Sequence, residues 1–159
     1  MTVELRPAAI DDLDLLVTLR LEYIRAALAP LSDAEAVPII GQLRSWIPAH
    51  LGHRFFAVLA LVDDEPAAVA MLSVNEFPAN PRFPGGRVGT VRNVWTRPAH
   101  RRRGLARATL SRVVDLGEQL GLDRLELLSS EAARGLYEAL GFVRSGDAHL
   151  PMAYSYRTT

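Results

Sequence analysis

Between residues 87 and 128 the chain reads strand, helix, strand, and this unit constrains the fold more than any other stretch. Arg87 to Thr96 is a largely apolar run that Pro98 stops, and Arg101, Arg102 and Arg103 then lead into Gly104. From Leu105 a helical period begins. Ala106, Leu110, Val113, Val114, Gly117 and Leu120 share one face, with Arg107, Ser111, Asp115 and Glu118 on the other. Gly121 supplies the C-cap, and Arg124 to Leu128 reads as a buried strand. Two strands joined through a crossover helix run parallel. A glycine at the helix mouth also makes an anion site, because first-turn N–H groups lack partners and the helix dipole adds positive potential. Without a Cβ, Gly104 lets a phosphate approach the backbone, and the three arginines add charge around it.

The remaining segments predict a sheet around this unit. Val3 to Arg6 alternates as a first strand. Ile10, Leu13, Val17, Leu21, Ile24 and Leu28 repeat at helical spacing until Pro30, and a second helix covers Asp33 to about Ala49, weakened by Pro38 and Gly41. Phe55 to Val62 and Ala67 to Val74 flank Asp63-Asp64-Glu65-Pro66 as a hairpin, and Phe77 to Gly86 is a loop with three prolines and two glycines. Glu131 to Leu140 is a helix stopped by Gly141, and Phe142 onward and Leu150 to Tyr156 read as two final strands. The expected fold class is α/β (mixed α+β). It has a central mixed, mostly antiparallel sheet, one parallel strand pair and helices on both faces. At 159 residues, 1–159 is expected to be a single domain.

Composition removes several functions. Eighteen basic and 18 acidic residues balance, and every basic one is Arg, so the chain has no nucleic-acid footprint and no lysine for a Schiff base or phosphate loop. Zero cysteine excludes disulfides, thiolate metal sites and a cysteine nucleophile. His50 and His53 have a metal-like spacing without a third ligand nearby, so no metal is expected. With neither an apolar run of about 20 residues nor a leader pattern, no membrane partner is expected and a cytoplasmic location is the default.

Two motifs carry a resemblance to the GNAT acetyltransferases. Arg101-x-x-Gly104-x-Ala106 matches the family's Arg/Gln-x-x-Gly-x-Gly/Ala signature. Twenty-four residues beyond Ala106, Ser130-x-x-Ala133-x-x-Leu136-Tyr137-x-x-x-Gly141-Phe142 is similar to its later Asn/Ser-x-x-Ala-x-x-Leu-Tyr-x-x-x-Gly-Phe segment. The resemblance implies acetyl-CoA as co-substrate and a parallel strand pair that splays to admit the pantetheine arm. It implies that the backbone from Arg102 to Ala106, beside Arg101, Arg103, Gly104 and Leu105, holds the pyrophosphate. Pantetheine would pair with the strand edge at Val94, Trp95 and Thr96, with an N–H near Trp95 facing the thioester oxygen. Ser130 matches a cofactor-contacting position and Tyr137 the general acid that protonates the leaving thiolate.

Many relatives carry a carboxylate near the middle of the fourth strand, where this chain has Arg92-Asn93-Val94. Glu76 is the candidate base instead. The acceptor implied is a small-molecule amine or a peptide, entering between walls at 22–35 and 76–87. A protein N-terminal acetyltransferase and a non-catalytic acyl-CoA sensor are the alternatives. Dimerisation is common among relatives, and the sequence leaves a homodimer open.

Overall fold

Alternation in two central strands sorts the apolar side chains to opposite faces of a sheet, and a different helix layer covers each face. The computed structural model describes residues 1–146 and 152–156, in two compact units, Met1–Leu128 and Ser129–Thr159. In the first unit the elements are β1 (Val3–Pro7), α1 (Leu13–Tyr23), α2 (Asp33–His50), β2 (Phe55–Val62), β3 (Glu65–Glu76), β4 (Arg87–Thr96), α3 (Leu105–Gln119) and β5 (Arg124–Glu126). The strands lie in chain order, antiparallel except for the parallel β4–β5 pair. Phe55, Ala57, Leu59, Val69 and Met71 pack against Leu16, Val17 and Leu19 of α1 and Ile47 of α2. The alternate residues Ala60, Val62 and Ala68 pack with Leu105 at the start of α3. Strands buried on both faces explain why β2 and β3 read as continuous apolar runs rather than polar alternations.

Local chemistry sets the helix ends. Ser32 Oγ accepts from the Glu35 N–H at 3.3 Å and the Glu35 carboxylate accepts from the Ser32 N–H at 2.9 Å, a reciprocal cap. α2 then runs as expected from Asp33 to His50, through Pro38 and Gly41 that weaken it, and buries Ala36 and Ile47. α3 ends at Gly121 (φ +65°), where the Leu122 N–H reaches back to the Gly117 carbonyl at 3.0 Å.

Two irregularities shape the parallel joint. Leu72 pairs with Val91 but Met71 pairs with Asn93, so Arg92 is an extra residue that bulges from β4. β5 stops at Glu126, two residues short of the expected end, and pairs only with Val88, Gly89 and Thr90. Beyond Thr90, β4 has no strand partner on that side among the described residues. Where the two strands do meet, Gly89 permits it: a Cβ there would stand 2.7–2.9 Å from carbons of Leu125, Leu122 and Leu72. The Asp123 carboxylate accepts from the Gly85 and Arg87 N–H groups at 2.9 and 3.1 Å, fastening the loop before β4 to the turn before β5.

In the second unit, Ser130 caps a single tight turn (Glu131–Ala133) that continues into α4 (Arg134–Glu138). Gly141 (φ +89°) ends the segment and the Phe142 N–H donates to the Tyr137 carbonyl at 3.1 Å. The two final strands are not formed where the chain is described, at 142–146 and 152–156, and the rest of those segments lies outside the described residues. Alternating tyrosines suit a strand, but Met152, Tyr154 and Tyr156 are exposed and meet no ladder partner among the described residues.

Candidate cofactor cleft

The turn between β4 and α3 is built to present backbone donors. The Arg97 N–H donates to the Ala67 carbonyl at 2.9 Å and ends the β3–β4 ladder; Pro98–His100 forms one tight turn. Arg102 (φ +64°) and Gly104 (φ +75°) are left-handed on either side of Arg103. Such alternation aims successive N–H groups into one concavity. No described residue accepts a hydrogen bond from the N–H groups of Arg102 to Arg107, the first being taken up when Ala108 donates to Gly104 at 3.0 Å. Leu105 buries its side chain under the sheet while Arg101 to Gly104 stay exposed, so the donors are anchored and accessible. Nothing lies within 4 Å of where a Gly104 Cβ would stand, leaving the mouth open. These features fit a diphosphate.

The strand edge leading to this turn also fits an amide-bearing arm, with one correction to the expected donors. Hydrogen-bonded and non-hydrogen-bonded pairs alternate along an antiparallel ladder. Because Arg97 donates into β3, Trp95, two residues earlier and opposite Val69, does so too. The N–H groups directed to the open edge are those of Val94 and Thr96. Trp95 contributes through its ring, which packs on the α1–α2 face and carries the Arg101 guanidinium 5.1 Å from its centroid. The Arg101 Nε also donates to the Thr96 carbonyl at 3.3 Å.

Behind Trp95 is a network that no sequence pattern indicated. The Trp95 Nε1 donates to Glu22 at 3.0 Å, and Arg97 Nη2 donates to the same carboxylate at 2.8 Å. A cleft of about 760 Å³ opens here, lined by Glu22, Arg25, Glu65, Trp95, Arg97 and Arg101 among others. Burial favours the neutral form of Glu22, but hydrogen bonds from Arg97 and Trp95 and the Arg97 charge together outweigh it and hold the carboxyl below its ordinary value of 4.5. A lowered folded value contributes stability that is present above the ordinary value and lost as pH falls through the lowered one. Glu22→Gln is therefore expected to destabilise the fold more at pH 7 than at about pH 3. Urea unfolding at both pH values checks it, and equal losses would contradict the assigned shift.

Further along β4, Arg20 of α1 donates through Nη1 to Asn93 Oδ1 at 3.1 Å and to the Arg92 carbonyl at 3.4 Å. Asn93 is 1% exposed, and its Nδ2 is buried without a hydrogen-bond partner. Burial lowers the Arg20 pKa, Tyr23 partly offsets this by raising it, and the Arg92 charge adds a still smaller lowering. Glu76 lies elsewhere. It pairs in register with Arg87 at the far end of β4, and its oxygens sit 3.6 and 3.5 Å from the Arg54 and Arg87 guanidinium groups. Seven residues of strand separate Arg87 from Val94, roughly 20 Å at about 3.3 Å each. Glu76 is thus not brought together with the open edge. In the second unit, Ser130 Oγ accepts from the Ala133 N–H at 3.3 Å, and the half-buried Tyr137 ring meets Phe142 edge-on at 6.0 Å. His50 stacks on Trp46 and on His53, with centroids 4.2 and 5.9 Å apart. Among the described residues, no helix is long and apolar enough to cross a membrane.

A mostly antiparallel five-strand sheet with one parallel joint, opening toward an anion-ready helix mouth, defines the acetyltransferase fold class. The chain belongs to the acetyltransferase (GNAT) family, whose sequence pattern matches residues 19–142. It is similar to a predicted acetyltransferase with acetyl-CoA from Clostridium acetobutylicum (24% identity, 96% of each chain, TM-score 0.80). It is also similar to a GCN5-related N-acetyltransferase from Ralstonia eutropha JMP134 (25% identity, 95% of this chain and 99% of that one, TM-score 0.78). A third likeness is to an integron cassette protein from the mobile metagenome of Cole Harbour Salt Marsh (26% identity, 96% and 91%, TM-score 0.74). No curated protein matches the chain.

Proposed function

We propose that this protein is an acetyl-CoA-dependent N-acetyltransferase that moves the acetyl group from the thioester directly to an amine in a ternary complex. The observation that carries the reading is the set of N–H groups from Arg102 to Arg107 around the open Gly104, unpartnered among the described residues, at the end of a strand edge that is free among them too. Membership of the GNAT family and the acetyl-CoA of the Clostridium relative support the choice of nucleotide.

Bound acetyl-CoA supplies an activated acyl group. The N–H groups of Arg102 to Ala106 hold its pyrophosphate, assisted by the Arg101 and Arg103 charges, and Val94 and Thr96 pair with the pantetheine amides. The Val94 N–H serves the acyl oxygen as charge develops on it, a kind of contact typically worth about 3 kcal/mol in the transition state. By its motif, Tyr137 protonates the departing sulfur and Ser130 contacts the cofactor.

An amine with a pKa near 10 must lose a proton before attack. Glu76 is the acid on the acceptor wall, but its distance from the open edge leaves it dependent on intervening water. Glu76→Gln is accordingly expected to leave the pH–rate profile of transfer in place, and a displaced acid limb would restore Glu76 as the base. The absence of an acid at Arg92-Asn93-Val94 favours the sensor reading as the second choice. Thiol release from acetyl-CoA across an amine panel, with mass spectrometry of products, separates the two: nucleotide binding with no release on any acceptor would leave only the sensor.

A further inference from the structure

The middle of β4 carries positive charge that no acid among the described residues meets. Arg20 is half-buried, donates hydrogen bonds through Nη1, lies 5.7 Å from the Tyr23 ring centroid, and has no carboxylate partner among the described residues. Arg92, the bulged residue, is exposed and likewise meets none. The acids of the surrounding elements are engaged elsewhere: Glu22 with Arg97, Asp14 with Arg44, Asp33 with Arg25, and Glu76 with Arg54 and Arg87. A partly desolvated guanidinium without a counterion is costly. Asn93 adds a second, independent deficit. Arg20 occupies its Oδ1, which fixes the amide orientation and leaves Nδ2 a buried donor without an acceptor. Such orphan groups call for an explanation, and an oxygen-bearing anion is the chemistry that would partner each of the three.

The position suits a substrate. Arg20 reaches β4 from α1, on the face opposite α3, and meets it just before Val94. Arg20 touches Arg92 and Asn93, the two residues before Val94, so its charge sits within about two strand residues, roughly 7 Å, of the Val94 N–H. That spacing matches a carboxylate a few bonds from an attacking amine.

We propose that Arg20 and Arg92, with the Asn93 amide, recognise the carboxylate of the acceptor, so that the amine acetylated is an amino-acid-like molecule and not a polycation. The inference rests on the acetyltransferase reading above.

The test measures thiol release with acetyl-CoA and matched acceptor sets: free α- and β-amino acids, their carboxamides, and the plain amines lacking the carboxyl carbon. The carboxamides' amines are less basic and hence more available, so the comparison is biased against the proposal. The expected result is a kcat/KM at least tenfold higher for some carboxylate than for its carboxamide. The ratio is expected to fall at least fivefold in Arg92→Gln, an exposed site that folding tolerates, and in Arg20→Gln. Equal or better use of carboxamides, plain amines or polyamines overturns the inference while leaving the activity standing. A preference that survives both substitutions overturns the assignment of these residues. No release with any member of the sets overturns the activity and the inference together.

Discussion

Tyr137→Phe is expected to lower kcat by about a hundredfold or more while the affinity for coenzyme A changes less than about threefold, general acid catalysis being typically worth 10²–10⁴. An ordinary phenol, with a pKa near 10, is protonated at neutral pH, whereas a thiol near 8.5 leaves as a thiolate. The substitution removes one oxygen and keeps the ring that packs edge-on against Phe142, and the Phe142 N–H bond to the residue 137 carbonyl involves only backbone. An unchanged melting temperature confirms that the fold survives. A full-rate variant would end the general-acid role. A variant that loses nucleotide affinity in proportion to rate would make Tyr137 a binding residue.

What was legible in the sequence was local. The crossover around α3, its C-cap at Gly121 and the open turn at Gly104 depend on residues within a few positions of one another, where periodicity and backbone stereochemistry decide. What was not legible joins residues far apart. Glu22 meets Trp95 across 73 positions and Arg97 across 75, and Arg20 meets Asn93 across 73, so nothing near either partner announces the pair. Of the edge residues expected, Val94, Trp95 and Thr96, the ladder turns the Trp95 N–H inward, because which pairs are hydrogen-bonded is fixed by the Arg97 bond to Ala67. Glu76 was chosen as a carboxylate near the end of a strand; register alone sends it to the opposite end of β4 from Val94. Arg92 looked like the loss of an acid, and only the bulge shows that it stands out of the ladder, with Arg20 donating to its carbonyl.

Gly104→Val is expected to raise the KM for acetyl-CoA at least tenfold with a smaller change in kcat at saturation. A β-branched residue at φ +75° is strained by about 1–2 kcal/mol, yet no protein atom lies within 4 Å of the new Cβ, so the chain has room to fold around it. The new methyl groups project into the mouth where the N–H groups of Arg102 to Arg107 converge, and a diphosphate and a valine cannot both occupy that space. Strain and occlusion are separated by the other end of the same helix. Gly121 has φ +65° and equally open surroundings but lies at the C-terminus of α3, remote from the donors. Gly121→Val should lose similar stability and leave KM unchanged. If both variants raised KM alike, the effect would belong to the strained helix, and the turn at Gly104 would lose its claim to the nucleotide.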